Sequence, residues 1–407
     1  MAMPERNAGP RLYLAVDNCF ASKRWTRPAE WMALLADMGI GYVEASADNE
    51  CDPLYMGREY LARWVQEVRE AEARTGVRVA NMYSGHGSYA TLGLAHSEPS
   101  VRERMQEEWI KPMCNIAAKL DAGIGFYCHA FANAVLQQPE VYAASEEDLY
   151  ARLADIAAYC RYIGVATPGV EQMYTPHQVP WTIAGAERLL REVYARSGGA
   201  PFYLTLDTGH QSGQRRFKRP TRAHLLQVAA GLAADQDGAE GQGASWLGPE
   251  SIQPLLERLA AAPDSERPGL ADQIERELDR YSYLFAGEQD GDTYAWLRQL
   301  GSYSPIIHLQ QTDGSRSAHL PFDETANRNG IIFGPQVLAA LQEAYRVPAE
   351  AGMPPRSEHI YLTLEVFSGT AELNNTILRK VSDSVAYWRQ YIPYDGITLE
   401  EALGHEG

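Results

Sequence analysis

Four short segments each carry a metal-liking side chain at or beside the end of an apolar run: GVEQ with Glu171, FYLTLDTGH with Asp207 and His210, PIIHLQQ with His308, and YLTLEVF with Glu365. Three carboxylates and one imidazole suit a hard or borderline divalent ion, and oxygen-rich ligation favours Mn²⁺ or Mg²⁺ over Zn²⁺, with Co²⁺ also compatible. Such a set leaves coordination positions open for two substrate oxygens. A carboxylate inside a protein is costly unless it is paired or bound to a cation. Any one of these residues alone reads equally well as a salt-bridge partner or helix cap; four in succession point to one centre.

Their common destination follows from strand geometry. Residues two apart on a strand share a face, so Tyr203, Thr205 and Asp207 oppose Leu204 and Leu206, while Tyr361, Thr363 and Glu365 oppose Leu362 and Leu364. Each strand therefore has an apolar face for covering helices and a polar face ending on a carboxylate. Apolar strands and amphipathic helices alternate along the chain. RLYLAVD, GYVEAS, VRVANMY, IGFYCH, GVEQ, FYLTLD, PIIHLQQ and YLTLEVF each precede a helical pattern, the sixth helix being expected after Pro220. Eight such units predict a single (β/α)8 barrel over residues 1–407, a fold whose chemistry sits at the C-terminal strand ends. Residues 221–304 interrupt the repeat and include ADQDGAEGQGAS. A stretch of that length is expected to form a lid, a helical subdomain or a homo-oligomer contact.

Further polar residues fall at or just past the first four strand ends: Asp17, Glu44, Tyr83, His86 and His129. Each is as readily a structural cap as a substrate contact. Trp25 and Trp181 read as core or rim. The formal charge of -17 opposes nucleic-acid binding, which needs a basic face to displace counterions. The dense basic run RRFKR at Arg215–Arg219 reads as a solvated loop or as a contact for a small anion such as a sugar phosphate. No apolar run approaches the roughly 20 residues of a membrane span. The opening MAMPERNAGP lacks the apolar stretch of a secretory signal, and the five cysteines form no CxxC pair. A cytoplasmic location with reduced thiols is therefore expected.

The series GVEQ, LDTGH, IIHLQQTDGSR and LTLEVF resembles the xylose-isomerase-like superfamily of sugar isomerases and epimerases, whose relatives include tagatose epimerases, inosose dehydratases and endonuclease IV. The D-x-x-H step is the sharpest of these motifs, and the resemblance spans nearly the whole barrel. It implies that Glu171, Asp207, His308 and Glu365 are the metal ligands, that His210 contacts a carbohydrate substrate, and that Arg316 holds a substrate oxygen. A metal bound to a carbonyl and its neighbouring hydroxyl stabilises the enediolate left when the intervening proton departs. Glu171 and Glu365 are then the expected acid/base pair, and the outcome is epimerisation or aldose–ketose isomerisation. Two other chemistries stay open: a polyol lyase like inosose dehydratase, and a DNA-repair nuclease like endonuclease IV, for which His86, His129 and His319 would be sought as extra zinc ligands. The nuclease is opposed by charge and by the lack of a D-x-H pair in SRSAHLPFDET.

Overall fold

Alternating side chains build the barrel from the inside. In the computed structural model, which describes residues 9–83, 91–234 and 248–404, eight parallel strands close on themselves: β1 (Arg11–Asp17), β2 (Tyr42–Ser46), β3 (Arg78–Tyr83), β4 (Gly123–Phe126), β5 (Pro168–Glu171), β6 (Tyr203–Asp207), β7 (Ile306–Leu309) and β8 (His359–Leu364). Each pairs with its sequence neighbour, and β1 bonds both β2 and β8, so no edge is left open. A two-residue strand, β9 (Ile397–Thr398), pairs antiparallel with the start of β1. The expected (β/α)8 barrel is the fold of this chain.

The interior changes character from one end to the other. Near the strand starts, Tyr13, Tyr42 and Tyr361 pack ring against ring with centroids 4.8–5.3 Å apart, an aromatic plug that closes the barrel floor. Midway, β4 contributes glycine. A Cβ on Gly125 would lie within 3.1–3.2 Å of Tyr83, Asn81 and Thr205, and one on Gly123 would lie 2.7 Å from Asn81 Oδ1. Their missing side chains leave room for Asn81 in the barrel. The strand ends carry the charged groups. Outward-facing Leu204, Leu206, Leu362 and Leu364 are fully buried beneath the surrounding helices.

The long stretch between β6 and β7 splits into two parts. Helices Arg222–Ala234, Gln253–Ala261 and Arg267–Arg280 enclose their own small apolar core of Leu225, Ala229, Ile252, Leu256, Leu259, Ile274 and Leu278. This unit docks beside the segment after β4: Tyr283 stacks on Tyr142 at 3.9 Å and its hydroxyl donates to the Leu136 carbonyl at 2.7 Å. Helix Thr293–Leu300 instead buries Ala295, Trp296, Leu297 and Leu300 in the main core. The sixth barrel helix is thus Thr293–Leu300 and not the helix after Pro220. An apolar face at Leu225 and Ala229 looks the same in sequence whether it meets the sheet or another helix of the insertion.

The basic run anchors this unit. Lys218 pairs with Glu288, Arg219 with Asp279, and Arg222 with Asp272 and Glu275. Arg215 donates to the carbonyls of Gly291 and Gly314 at 2.9 and 3.2 Å. All five cysteines are buried and unbridged. No helix among the described residues is long and apolar enough to cross a membrane.

Candidate metal centre and substrate cavity

His308 on β7 is the hub of the strand-end cluster and is fully buried. Its Nδ1 lies 3.1 Å from Glu171 Oε1 and 3.8 Å from Glu365 Oε2, while its Nε2 lies 2.6 Å from Glu44 Oε1. Parallel pairing sets this up: β6 and β7 place Asp207 beside His308 in register. Asp207, His308 and Glu365 present ligand atoms within 4.8 Å of one another, as do Glu171, Asp207 and His210. The structure thus brings together all four residues expected as ligands.

Two features test whether a cation fits. Cis ligands about 2.1 Å from an octahedral ion stand roughly 3 Å apart, and trans ligands roughly 4 Å; the 3.1 and 3.8 Å from His308 Nδ1 to Glu171 and Glu365 fall in that range. Charge points the same way. Asp17, Glu44, Glu171, Asp207 and Glu365 are all at most 4% exposed, and so many carboxylates in one buried space need a compensating positive charge. The residues fit a divalent ion.

The site's electrostatics are strongly perturbed. Burial opposes a charged ring at His308, yet the carboxylates of Glu44, Glu365 and Glu171 outweigh it and hold the imidazole well above its ordinary range. Burial also pushes Glu44 up to about 7 despite His308 beside it. At Asp207 burial is outweighed by His210, His319, His308 and Gln310, and the carboxyl sits at about 2. Asp207 Oδ1 accepts from the backbone N–H groups of Gly209 and His210 at 2.6 and 3.0 Å, which explains why a tight D-T-G-H turn follows the strand.

Tyr83 donates its hydroxyl to Glu171 Oε2, and burial followed by the Glu171 charge raises that phenol well above its usual value. It remains a neutral donor. His210 Nδ1 lies 2.7 Å from the Gln172 carbonyl. A carbonyl only accepts, so Nδ1 carries a proton, and Nε2 lies 3.9 Å from Asp207 Oδ2. Gln310 completes the frame: its amide donates to both Asp207 oxygens at 2.9 Å and its carbonyl accepts from the His319 backbone at 2.7 Å.

A cavity of about 300 Å³ opens on this cluster, lined by Tyr83, Tyr127, His129, Glu171, Met173, Tyr174, Gln178, His210, Ser317, His319, Glu365 and Phe367. His129 is therefore at the mouth. Its Nδ1 accepts from the Gln178 amide at 3.0 Å, and burial lowers its pKa to about 4, so the ring is neutral at pH 7. His86 lies outside the described residues. Arg316 is exposed and does not line the cavity. The loop after β7 turns Ser317 and His319 inward and Arg316 outward, away from the substrate contact expected of it. Trp181 is buried against Phe217, and Trp25 packs at the edge of the core.

Sequence reasoning understated two residues. Glu44 was one of five strand-end candidates with no assigned task, although a carboxylate on the inward face of a strand, two residues from its end, was the available signal. His319 stood out only as an imitation of a zinc ligand.

A closed parallel barrel whose strand ends gather carboxylates and histidines around one cavity defines a metal-compatible (β/α)8 enzyme scaffold. The model of the xylose isomerase-like TIM barrel family matches residues 32–238, just over half of the chain, and the chain belongs to that family. A curated D-erythrulose 1-phosphate 3-epimerase from Brucella abortus (strain 2308) is 29% identical over 117 residues, a match covering 28% of this chain and 34% of that enzyme. Among solved structures, a protein described as a candidate xylose isomerase from Rhodospirillum rubrum ATCC 11170 superposes with a TM-score of 0.62 at 17% identity. D-psicose 3-epimerase with D-tagatose, from Clostridium cellulolyticum H10, gives 0.53 at 11%. Both alignments cover 93% of this chain and 98% of the other. At these identities the likeness is one of fold.

Proposed function

We propose that this protein is a metal-dependent ketose 3-epimerase-type isomerase acting on a small free sugar. The observation that carries the reading is the pair of buried carboxylates, Glu171 and Glu365, both within 3.8 Å of His308 Nδ1 and both lining a sugar-sized cavity. Glu171, Asp207, His308 and Glu365 would hold the ion, for which Mn²⁺ is favoured over Mg²⁺, Co²⁺ or Zn²⁺. Bound there, the ion would supply the Lewis acidity that stabilises the negative charge of an enediolate.

The residues account for the remaining steps. One glutamate removes the proton next to the carbonyl and the other returns a proton to the opposite face, so that configuration inverts with no net change in composition. Tyr83 keeps Glu171 hydrogen-bonded throughout. His210 lines the cavity with Nδ1 held by the Gln172 carbonyl, and would hydrogen-bond a sugar hydroxyl through Nε2. Tyr127, Tyr174 and Phe367 offer ring surfaces to the sugar's C–H faces.

Charge supports a free sugar over a phosphorylated one. None of the described lining residues is Lys or Arg, and nearby Lys218, Arg219 and Arg222 are engaged by carboxylates of the insertion while Arg215 donates to backbone carbonyls. Phosphate recognition ordinarily uses Arg or Lys. The test is to incubate Mn²⁺-loaded protein with free and phosphorylated tetruloses, pentuloses and hexuloses in D₂O. Deuterium should enter one carbon of a free ketose, with a C3 epimer as product. Elemental analysis should return one divalent ion per chain. Glu171→Gln and Glu365→Gln should each reduce exchange by about a hundredfold or more while the fold is retained. Turnover of a phosphorylated ketose alone would overturn the substrate class. Aldose formation would replace epimerisation by isomerisation, and near wild-type exchange in either variant would remove that glutamate from the chemistry.

A further inference from the structure

His319 combines three properties that do not otherwise meet in one residue here. It has φ +46°, a left-handed backbone that a non-glycine residue seldom adopts. Its side chain is 17% exposed and lines the cavity. Its Nδ1 lies 3.1 Å from Glu365 Oε2. Among the described residues, the other two non-glycine residues with positive φ, Lys23 and Asp121, do not line the cavity.

The surrounding loop holds this conformation from several sides. The His319 backbone N–H donates to Gln310 Oε1 at 2.7 Å, and the same amide grips Asp207. Its neighbours on either side are tied as well: Gln311 and Leu320 exchange backbone hydrogen bonds at 2.9 and 3.2 Å, and Ser317 Oγ lies 3.2 Å from His319 Nε2. The ring lies flat on Phe367, 3.9 Å between centroids at 3°. Phe367 stands two residues past Glu365, so the stack ties the loop after β7 to the end of β8. Strained backbone persists where the surroundings over-determine it, and such positions cluster at functional sites.

We propose that His319 is a positioning residue that orients the Glu365 carboxylate for proton transfer, as Tyr83 does for Glu171. The inference rests on the acid/base reading of Glu365 given above. Tyr83 and His319 reach their carboxylates from β3 and from the loop after β7, so each side of the cavity has a glutamate with its own ring-borne partner. A carboxylate free to rotate would spend much of its time with neither oxygen aimed at the reacting carbon. A fixed partner raises the productive fraction, and because Glu365 would also hold the ion, its loss weakens Mn²⁺ binding too, though less than turnover.

Two substitutions separate this role from packing. His319→Asn keeps a nitrogen the same number of bonds from Cα as Nδ1, and Asn tolerates positive φ. His319→Phe keeps a flat ring on Phe367 and removes the nitrogen. His319→Phe should lower kcat by about a hundredfold, with KM within about threefold and Mn²⁺ affinity, read by calorimetry, falling by no more than about tenfold. His319→Asn should restore kcat to within about tenfold of wild type. Three results overturn the proposal: unchanged kcat in His319→Phe, equal loss of kcat in both variants with a lowered Tm, and a loss of Mn²⁺ affinity in His319→Phe matching the loss of kcat. The wild-type D₂O experiment keeps the two readings apart. No exchange into any ketose by wild type removes the epimerase reading itself, whereas exchange that survives His319→Phe removes only this one.

Discussion

Glu44 and His308 share one short contact, 2.6 Å from Oε1 to Nε2, and Glu44 Oε2 is held in turn by the Asn81 amide at 2.7 Å. A carboxylate accepting from the distal nitrogen of a ligating histidine fixes the tautomer, so that the other nitrogen faces the ion. Glu44→Ala should therefore weaken Mn²⁺ binding by about 10–100-fold, and Glu44→Gln, which retains an acceptor, should weaken it less. Calorimetric titration distinguishes the two, and equal affinity in wild type and Glu44→Ala would dismiss the role. His210 gives a second test. Its Nδ1 is committed to the Gln172 carbonyl, and the residue lines the cavity. His210→Ala should lower kcat/KM more than Mn²⁺ affinity, and equal loss of both would make it a ligand.

At the scale of elements, the turn after β2 carries a buried carboxyl with no part in the cavity. Glu50 is 4% exposed and accepts from Trp31 Nε1 at 2.5 Å. Burial raises its pKa to about 8 from an ordinary 4.5, against the hydrogen bond from Trp31. The folded state thus holds this proton in a range where the unfolded chain has released it. This contribution to stability is complete below the ordinary value and is lost as pH rises towards about 8, at a slope of up to about 1.4 kcal/mol per pH unit. Glu50→Gln should remove the slope: its Tm should match wild type near pH 4.5 and exceed it by several degrees at pH 8. Parallel Tm profiles for the two proteins would show that Glu50 is ionised in the fold.

For the molecule as a whole, the insertion's separate core makes its stability separable from the barrel's. Ile274 is fully buried among Leu225, Leu256, Leu259 and Leu278, and none of these belongs to the main core. Ile274→Ala should cost about 2–5 kcal/mol, localised by hydrogen exchange: amides in helices Arg222–Ala234, Gln253–Ala261 and Arg267–Arg280 should exchange faster while those of β6 and β7 keep their protection. Uniform loss of protection would mean that the two cores melt as one unit. The described residues lining the cavity include none from these helices, so ketose turnover should survive the substitution.

The sequence by itself determined the barrel and the four central side chains, because both depend on short periods. Alternation over YLTLD and YLTLE puts Asp207 and Glu365 on the inward face whatever the rest of the chain does. Eight strand–helix units then have few ways to close. What lies beyond the strand ends was decided by tertiary structure. Arg316 and His319 stand three residues apart on a loop with no period, and the turn held by Gln310 and Gly314 sends one to solvent and the other to Glu365. The sixth barrel helix was hidden for the same kind of reason: Arg222–Ala234 and Thr293–Leu300 both have a face to bury, and only the neighbours they meet decide which one covers the sheet. Glu44 was legible as an inward carboxylate, but its link to His308 joins β2 to β7 across the barrel, a distance that no local pattern measures.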